Sequence, residues 1–292
     1  MNQQPLQTAY MYNNNRYHLT GCIVLYKNQR KVLLDAISSF LNTDLNVKLY
    51  LIDNSPTDEL RNIHHDSRID YIHNPSNPGF GAAHNIAIKK AFLDGTEYHL
   101  VLNPDVQFGT DVLPAILSYM DNDTQVGNLM PKVTYPDGSN QYLCKLLPTP
   151  YDWIGRRFNP FKEMVEKRNE LFELHFSGYN HIMEVPYLSG CFMFLRLAAL
   201  KEIGLFDEKI FMYGEEVDLC RRLIRKGYKT VYFPEVSIIH HFQKGSHNSL
   251  KLTVVGVQSA IYYFNKWGWT FDKERKKINS ETLAKLQYNS TT

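Results

Sequence analysis

Five short polar stretches of this chain hold side chains able to do chemistry, and each borders an apolar run. Asp53-Asn54-Ser55 follows VKLYLI, Val47 to Ile52. A carboxylate there can accept hydrogen bonds from a base N–H or a ribose hydroxyl. The same triplet also makes an ordinary turn, because Asp, Asn and Ser all favour turns. Asn103-Pro104-Asp105 follows YHLVL, Tyr98 to Leu102. A carboxylate in that place can hold Mg²⁺ or Mn²⁺, which take oxygen ligands and share them with substrate phosphates. Such an ion offsets charge on a leaving diphosphate. Taken alone, the triplet is equally a proline turn. Glu215-Glu216-Val217-Asp218-Leu219-Cys220-Arg221-Arg222 opens a helical pattern whose apolar stripe is Val217, Cys220, Leu223 and Ile224. Glu216 lies beside that stripe near the helix N-terminus, where the helix dipole favours an ionised carboxylate, the form a general base needs. Acidic first turns are common in any helix, but that does not account for the preceding Phe211-Met212-Tyr213-Gly214. His240 ends another apolar run, with Gly245-Ser246 close behind; a neutral imidazole suits a Mn²⁺-type ion, although a lone His is more often structural. Asn77-Pro78-Gly79-Phe80-Gly81 leads into a helical pattern with Asn85 one turn in. Its glycines allow close approach to a ligand and the helix N-terminus favours anions. It is neither a GxGxxG motif nor a P-loop, and a plain glycine turn explains it as well.

These groups need elements to position them. The apolar runs from Leu19 to Tyr26, Val47 to Ile52, Ile69 to His73 and Tyr98 to Leu102 read as strands. Helical spacing covers about Gln29 to Leu41, the stretch after Gly81 to about Asp94, and a short piece from about Asp58. Strands alternating with helices imply βαβ units, an α/β class and a mostly parallel sheet. In such sheets ligands bind outside the carboxyl ends of the strands, where Asp53, Asn103-Asp105 and His240 fall. Past Gln125 the pattern changes. Val133–Tyr135 and Asn140–Leu143 read as a hairpin across Pro136-Asp137-Gly138. Leu147 to Pro186 is aromatic, basic and irregular, with Arg156 and Arg157 beside Trp153; it fits a lid, an acceptor loop or a pair of short helices. A strand is expected at Tyr187–Leu195, a helix from Glu215 to Lys226, two strands at Lys229–Phe233 and Val236–Ile239, and helices near Leu252–Trp267 and Lys273–Leu286.

Composition narrows the class. The 292 residues suffice for one large α/β domain, and 43% hydrophobic residues is ordinary for a globular protein. A net charge of +2 leaves no nucleic-acid footprint. Cys22, Cys144, Cys191 and Cys220 lack metal-type or framework spacing, which points to free thiols in a reducing, cytoplasmic compartment. Residues 1–18 are polar and unlike a signal peptide; we expect a flexible tail. No apolar run reaches the roughly 18 residues of a membrane span, so any membrane role is peripheral. Tyr262 to Trp269 mixes aromatic and basic residues and fits a bilayer interface, a core helix or a homodimer contact, with the core reading favoured.

In combination and in order, the motifs resemble glycosyltransferase family 2, the inverting enzymes with the GT-A fold. The resemblance spans roughly residues 19–246. Its most specific part is Leu188-Ser189-Gly190-Cys191, then Ile203-Gly204-Leu205-Phe206-Asp207-Glu208, then Phe211 to Arg222. It implies a GT-A domain over 19–246, a C-terminal helical extension over 247–292, a nucleotide-diphosphate sugar donor, a glycan or lipid-linked acceptor, and Mg²⁺ or Mn²⁺. Residue by residue, it implies that Asp53 and Asn54 contact the nucleotide base. Asn77, Gly79, Gly81 and Asn85 would shape the donor loop and helix, and Asn103, Asp105 and Gly190 would lie along the donor. Asp105 and His240 would ligate the metal, with His241 a weaker substitute, and Glu216 would deprotonate the acceptor hydroxyl. Two positions depart from the family pattern. Asn103 stands where a first metal-site Asp is expected, as in rhamnosyltransferase-like members, and Glu216 stands where Asp is usual; the two acids have comparable basicity.

These implications lead to a dTDP-activated deoxyhexose, with UDP-hexoses open, moved onto a cell-surface polysaccharide such as O-antigen. The expected reaction is one in-line displacement with no nucleophilic Ser or Cys. A non-catalytic glycan-binding or assembly protein on the same fold is the alternative, and it draws on Asn103 and Glu216. A nucleotidyltransferase is disfavoured, because no Gly-rich basic loop lies between Gly21 and Arg30.

Overall fold

The computed structural model describes residues 17–156, 159–241 and 250–288. The expected tail (but for its last two residues), Arg157 and Gly245-Ser246 lie outside them. The first half is built from β1 (Leu19–Leu25), α1 (Arg30–Leu41), β2 (Val47–Asp53), β3 (Ile69–His73), α2 (Phe80–Asp94) and β4 (Tyr98–Leu102). The apolar runs become strands because both sheet faces are covered; β1 and β4 are buried almost end to end. After β4 come β5 (Val106–Phe108), α3 (Val112–Asn122), β6 (Val126–Thr134) and β7 (Cys144–Lys145). The irregular region supplies a single wide turn at Tyr151–Gly155 and α4 (Lys162–Phe172). The remainder is β8 (Met183–Glu184), β9 (Tyr187–Leu188), β10 (Phe192–Arg196), α5 (Leu197–Ile203), α6 (Glu215–Arg225), β11 (Lys229–His240), α7 (Leu250–Trp267) and α8 (Lys273–Lys285).

The main sheet runs β3-β2-β1-β4-β10-β6-β11-β5, with β8 beside β11. β3, β2, β1 and β4 pair in parallel, as do β6 and β11; β10 and β5 run the other way. The order reverses between β1 and β4, and the crevice at such a switch point is where an open α/β sheet binds ligands.

Several expectations need correction. No helix forms near Asp58; residues 58–63 are turns, where local Arg61–Asp58 pairing replaces a helical ladder. The Val133–Leu143 hairpin shrinks to one bridge, Thr134 with Asn140, because β6 pairs instead with β10 and β11. Tyr187–Leu195 is broken at Ser189–Cys191 into β9 and β10, which join different sheets. The two late strands are one, β11, with a register shift between Phe233 and Ser237 around Pro234.

Candidate active site

The parallel strands deliver their polar ends to one edge of the sheet. Asp53 ends β2, Asn103 follows β4, and His240 ends β11. Gly190-Cys191 reaches the same edge because β10 starts there, and the Asn103 N–H donates to the Cys191 carbonyl at 2.9 Å. Asp53 is fully buried. Its carboxylate accepts from the Ser55 N–H at 2.9 Å and the Tyr71 hydroxyl at 2.5 Å. The Asn54 side-chain oxygen accepts from Asn74 at 2.9 Å. Just past the buried Asp53 lies a cavity of about 590 Å³ whose walls include Lys27, Asn28, Arg30 and Ser55. Sequence reasoning missed Lys27, Asn28 and Arg30, although their position between the carboxyl end of β1 and the start of α1 was the available signal.

Asp105 and His240 come together, with Asp105 Oδ1 3.3 Å from His240 Nε2. Gln141 fixes the ring. Its amide nitrogen donates to the His240 and Thr134 carbonyls at 2.7 and 3.3 Å, so its oxygen faces His240 Nδ1 at 2.9 Å. That makes Nδ1 a donor and directs Nε2 towards Asp105. Burial pulls the imidazolium down, but the Cys191 sulfur and the Asp105 carboxylate outweigh it and hold the group at about 10. The buried Asp105 Oδ1 has no hydrogen-bond partner. An oriented imidazole facing a buried carboxylate oxygen fits a divalent cation that keeps its other positions for water and phosphate oxygens. Among the described residues no group of three or more His, Cys, Asp or Glu is arranged to hold a metal ion, and Asn103 is half-buried two residues before Asp105.

Glu216 sits at the start of α6. Gly214 precedes it at φ +114°, and its N–H donates to Glu216 Oε2 at 3.0 Å. The Tyr187 hydroxyl donates to Oε1 at 3.0 Å. Burial, then the Glu216 charge, push the Tyr187 phenol far up, so it remains a donor at every working pH. Gly190 faces this carboxylate; a Cβ there would lie 3.6 Å from Glu216 Cβ. Glu216 forms part of the wall of a cavity of about 240 Å³, together with Trp153, Tyr187, Tyr213, Arg156 and Val257. Its neighbour Glu215 points into protein. Burial and the adjacent Glu216 charge push the Glu215 carboxyl well above the usual range.

The other motif residues hold this loop in place. The Asn85 amide donates to the Phe206 carbonyl at 2.9 Å and accepts from the Phe206 N–H at 3.0 Å. A Cβ on Gly79, at φ +101°, would lie 2.2 Å from the Phe211 carbonyl oxygen, and one on Gly81 2.9 Å from Phe206 Cβ. The Phe80 N–H donates to that same Phe211 oxygen at 2.9 Å. Asn77 takes φ +44°, which turns the chain into this contact. Gly79, Gly81 and Asn85 thus fasten the start of α2 to the 204–214 loop that leads into Glu216. Arg222 fastens it from the other side, donating to the carbonyls of Ile203 and Leu205 at 2.8 Å. Arg221 is buried and forked onto Asp272 at 2.6 and 2.7 Å, and Trp267 donates to Asp218 at 2.7 Å. These contacts clamp α6 against α7 and α8. Tyr263 and Phe264 are buried there, so this stretch serves as core.

A parallel-sheet edge carrying a carboxylate–imidazole pair, with a helix-borne carboxylate in a neighbouring cavity, is the layout of a GT-A glycosyltransferase. The glycosyl transferase family 2 model matches residues 22–204, and the chain belongs to that family. It is 29% identical over 216 residues to the N-acetylglucosaminyl-diphospho-decaprenol L-rhamnosyltransferase of Mycobacterium tuberculosis, covering 69% of this chain and 68% of that one. It is 28% identical to the rhamnosyltransferase WbbL of Escherichia coli K12, covering 68% and 74%. In fold it resembles the mannosyltransferase PcManGT of Pyrobaculum calidifontis, solved with GDP-Man and Mn²⁺, at TM-score 0.56 and 14% identity, covering 95% and 77%. It also resembles GalNAc-T7, solved with UDP, GalNAc and Mn²⁺, at TM-score 0.59 and 15% identity; the match covers 80% of this chain but 44% of that one.

Proposed function

We propose that this chain is an inverting, divalent-metal-dependent glycosyltransferase that moves rhamnose from dTDP-rhamnose onto a glycan or lipid-linked acceptor during cell-surface polysaccharide synthesis. The observation that carries the reading is the Glu216 carboxylate, pinned by two donors in the wall of a cavity and flanked by Gly190 at the sheet edge where Asp105 meets His240. The names of the relatives support the sugar and the kind of acceptor.

Asp105 and His240 would hold Mg²⁺ or Mn²⁺, with Gln141 orienting the imidazole. A cation bound there supplies charge to offset the diphosphate as it departs. Asn54, Ser55 and Lys27, at the ends of β2 and β1, would receive the nucleoside. The acceptor enters the cavity beside Trp153. Glu216 Oε takes the proton of the acceptor hydroxyl as that oxygen bonds to the anomeric carbon; the bond from that carbon to phosphate breaks, and the nucleoside diphosphate leaves with the electron pair. Attack from the face opposite the leaving group inverts the configuration. Work at the inner membrane face is consistent with a lipid-linked acceptor; among the described residues no helix is long and apolar enough to cross a membrane.

Calorimetry with Mn²⁺ tests the reading by comparing dTDP, UDP and GDP on the native protein, Asp105→Ala and Glu216→Gln. Metal-dependent binding of dTDP is expected. It should be lost in Asp105→Ala and kept in Glu216→Gln, which should not transfer sugar. Failure of all three nucleotides to bind would refute the proposal.

A further inference from the structure

The cavity beside Glu216 continues past Trp153 into a second one of about 670 Å³, and Lys145, Asp152, Trp153 and Arg156 line both. Charge along this groove is uneven. Asp152 is buried and paired with Arg168 at 2.6 Å, so that pair cancels. Lys145 Nζ and Arg156 Nη1, by contrast, lie 3.1 and 3.5 Å from the same oxygen of Glu173. Burial pushes the Glu173 carboxyl up, but Lys145 and Arg156 outweigh it and hold it below the usual range. Two cations on one carboxylate leave a positive charge over at this end, while Glu216 places a negative one at the other. The side chains of Lys145, Arg156 and Glu173 are each only 20% exposed, so water screens that surplus poorly. Arg156 is also preorganised. Its Nε donates to the Asp152 carbonyl at 2.6 Å, and its guanidinium stacks 4.6 Å above the Phe172 ring.

Resting on the acceptor role proposed for this cavity, we infer that Lys145 and Arg156 form an anion subsite of the acceptor groove. The acceptor is then a sugar that carries its own phosphate or diphosphate. Its hydroxyl meets Glu216 while its anionic group meets Lys145 and Arg156. Gln141, the partner of His240, lines the second cavity too, so the donor's diphosphate is the rival occupant that an experiment has to separate.

Geranyl diphosphate and geraniol serve as probes, titrated calorimetrically in EDTA so that any metal-dependent phosphate site is silent. The native protein should bind the diphosphate well above the alcohol. Lys145→Gln should weaken it about tenfold, the order expected for one charge-assisted hydrogen bond. Lys145→Arg should restore much of the affinity, and Asp105→Ala should leave it unchanged. A native preference no greater than that for geraniol, or full affinity in a folded Lys145→Gln, would overturn the inference. Loss of binding in Asp105→Ala would also overturn it by assigning the anion to the donor site. Failure of the transferase reading itself shows separately, as absent Mn²⁺-dependent nucleotide binding.

Discussion

Replacing Tyr187 by Phe removes one oxygen and little else, so it isolates what that hydroxyl does for Glu216. The carboxylate has two protein donors, one per oxygen, Tyr187 O–H and Gly214 N–H, each at 3.0 Å. A hydrogen bond to a charged group contributes about 1.5–3 kcal/mol. Without Tyr187 the Oε1 oxygen is free to swing away from the acceptor hydroxyl, and a misplacement of about 1 Å costs on the order of 10²-fold. The kcat for transfer should therefore fall about 10- to 100-fold while KM for the donor stays put. Steady-state transfer assays, with a melting curve as control, measure this. A merely structural tyrosine would lower the melting temperature and leave kcat of the folded enzyme in place. An unchanged kcat in a folded Tyr187→Phe would refute the reasoning.

Gln141→Leu removes the partner that orients His240 and should weaken Mn²⁺-dependent nucleotide binding about 10- to 100-fold without abolishing it, as titration of Mn²⁺ at fixed dTDP would read. Arg221→Met leaves Asp272 buried without its bidentate partner and should cost about 3–5 kcal/mol in denaturant unfolding; the Arg221→Met/Asp272→Leu double variant should recover most of that. Acid should destabilise the fold through His84 and His99. Burial, with His99 nearby, keeps His84 well below the ordinary imidazolium range, and burial lowers His99 to about 3. The unfolded chain binds their protons near pH 6.5 and the folded one does not. Stability is therefore full above that pH and falls below it by about 1.4 kcal/mol per pH unit for each histidine. Denaturant midpoints at pH 7 and 5.5 check this, and His84→Leu should roughly halve the slope.

Strand ends were legible because a parallel sheet needs continuous apolar runs, and polar residues after such runs have few other places to go. That logic located Asp53, Asn103, Asp105 and His240 on one edge. It could not separate a residue that faces the groove from one that holds the groove together. Asn85, Gly79 and Gly81 carry a ligand-like pattern, yet their contacts are with Phe206 and Phe211, 120 or more residues away, a pairing no local pattern encodes. Arg221 and Arg222 fall within the expected helix, but nothing local says that one is buried under Trp267 and the other caps α5. Tyr187 and Gln141 went unnoticed for the opposite reason. Each is an unremarkable residue in a short strand or loop, and each acts through a single hydrogen bond to a group that sequence did find.

The longer acid at position 216 has a physical account in these same contacts. Glu carries one methylene more than Asp, roughly 1.5 Å of extra reach. Here the side chain folds back, so that one oxygen meets the N–H two residues upstream and the other meets Tyr187 from β9. Gly190 lies alongside, where even a Cβ would meet Glu216 Cγ and Cδ at ordinary contact distances of 3.8 and 3.9 Å, so the longer acid fits without a clash. Burial and the Glu216 charge push the neighbouring Glu215 carboxyl above its usual range, which lessens the repulsion between the two. The extra methylene and the tyrosine thus describe one device. A shorter Asp on the same backbone would not reach both donors, so what looks in the sequence like a departure at one position is accommodated by the residues around it.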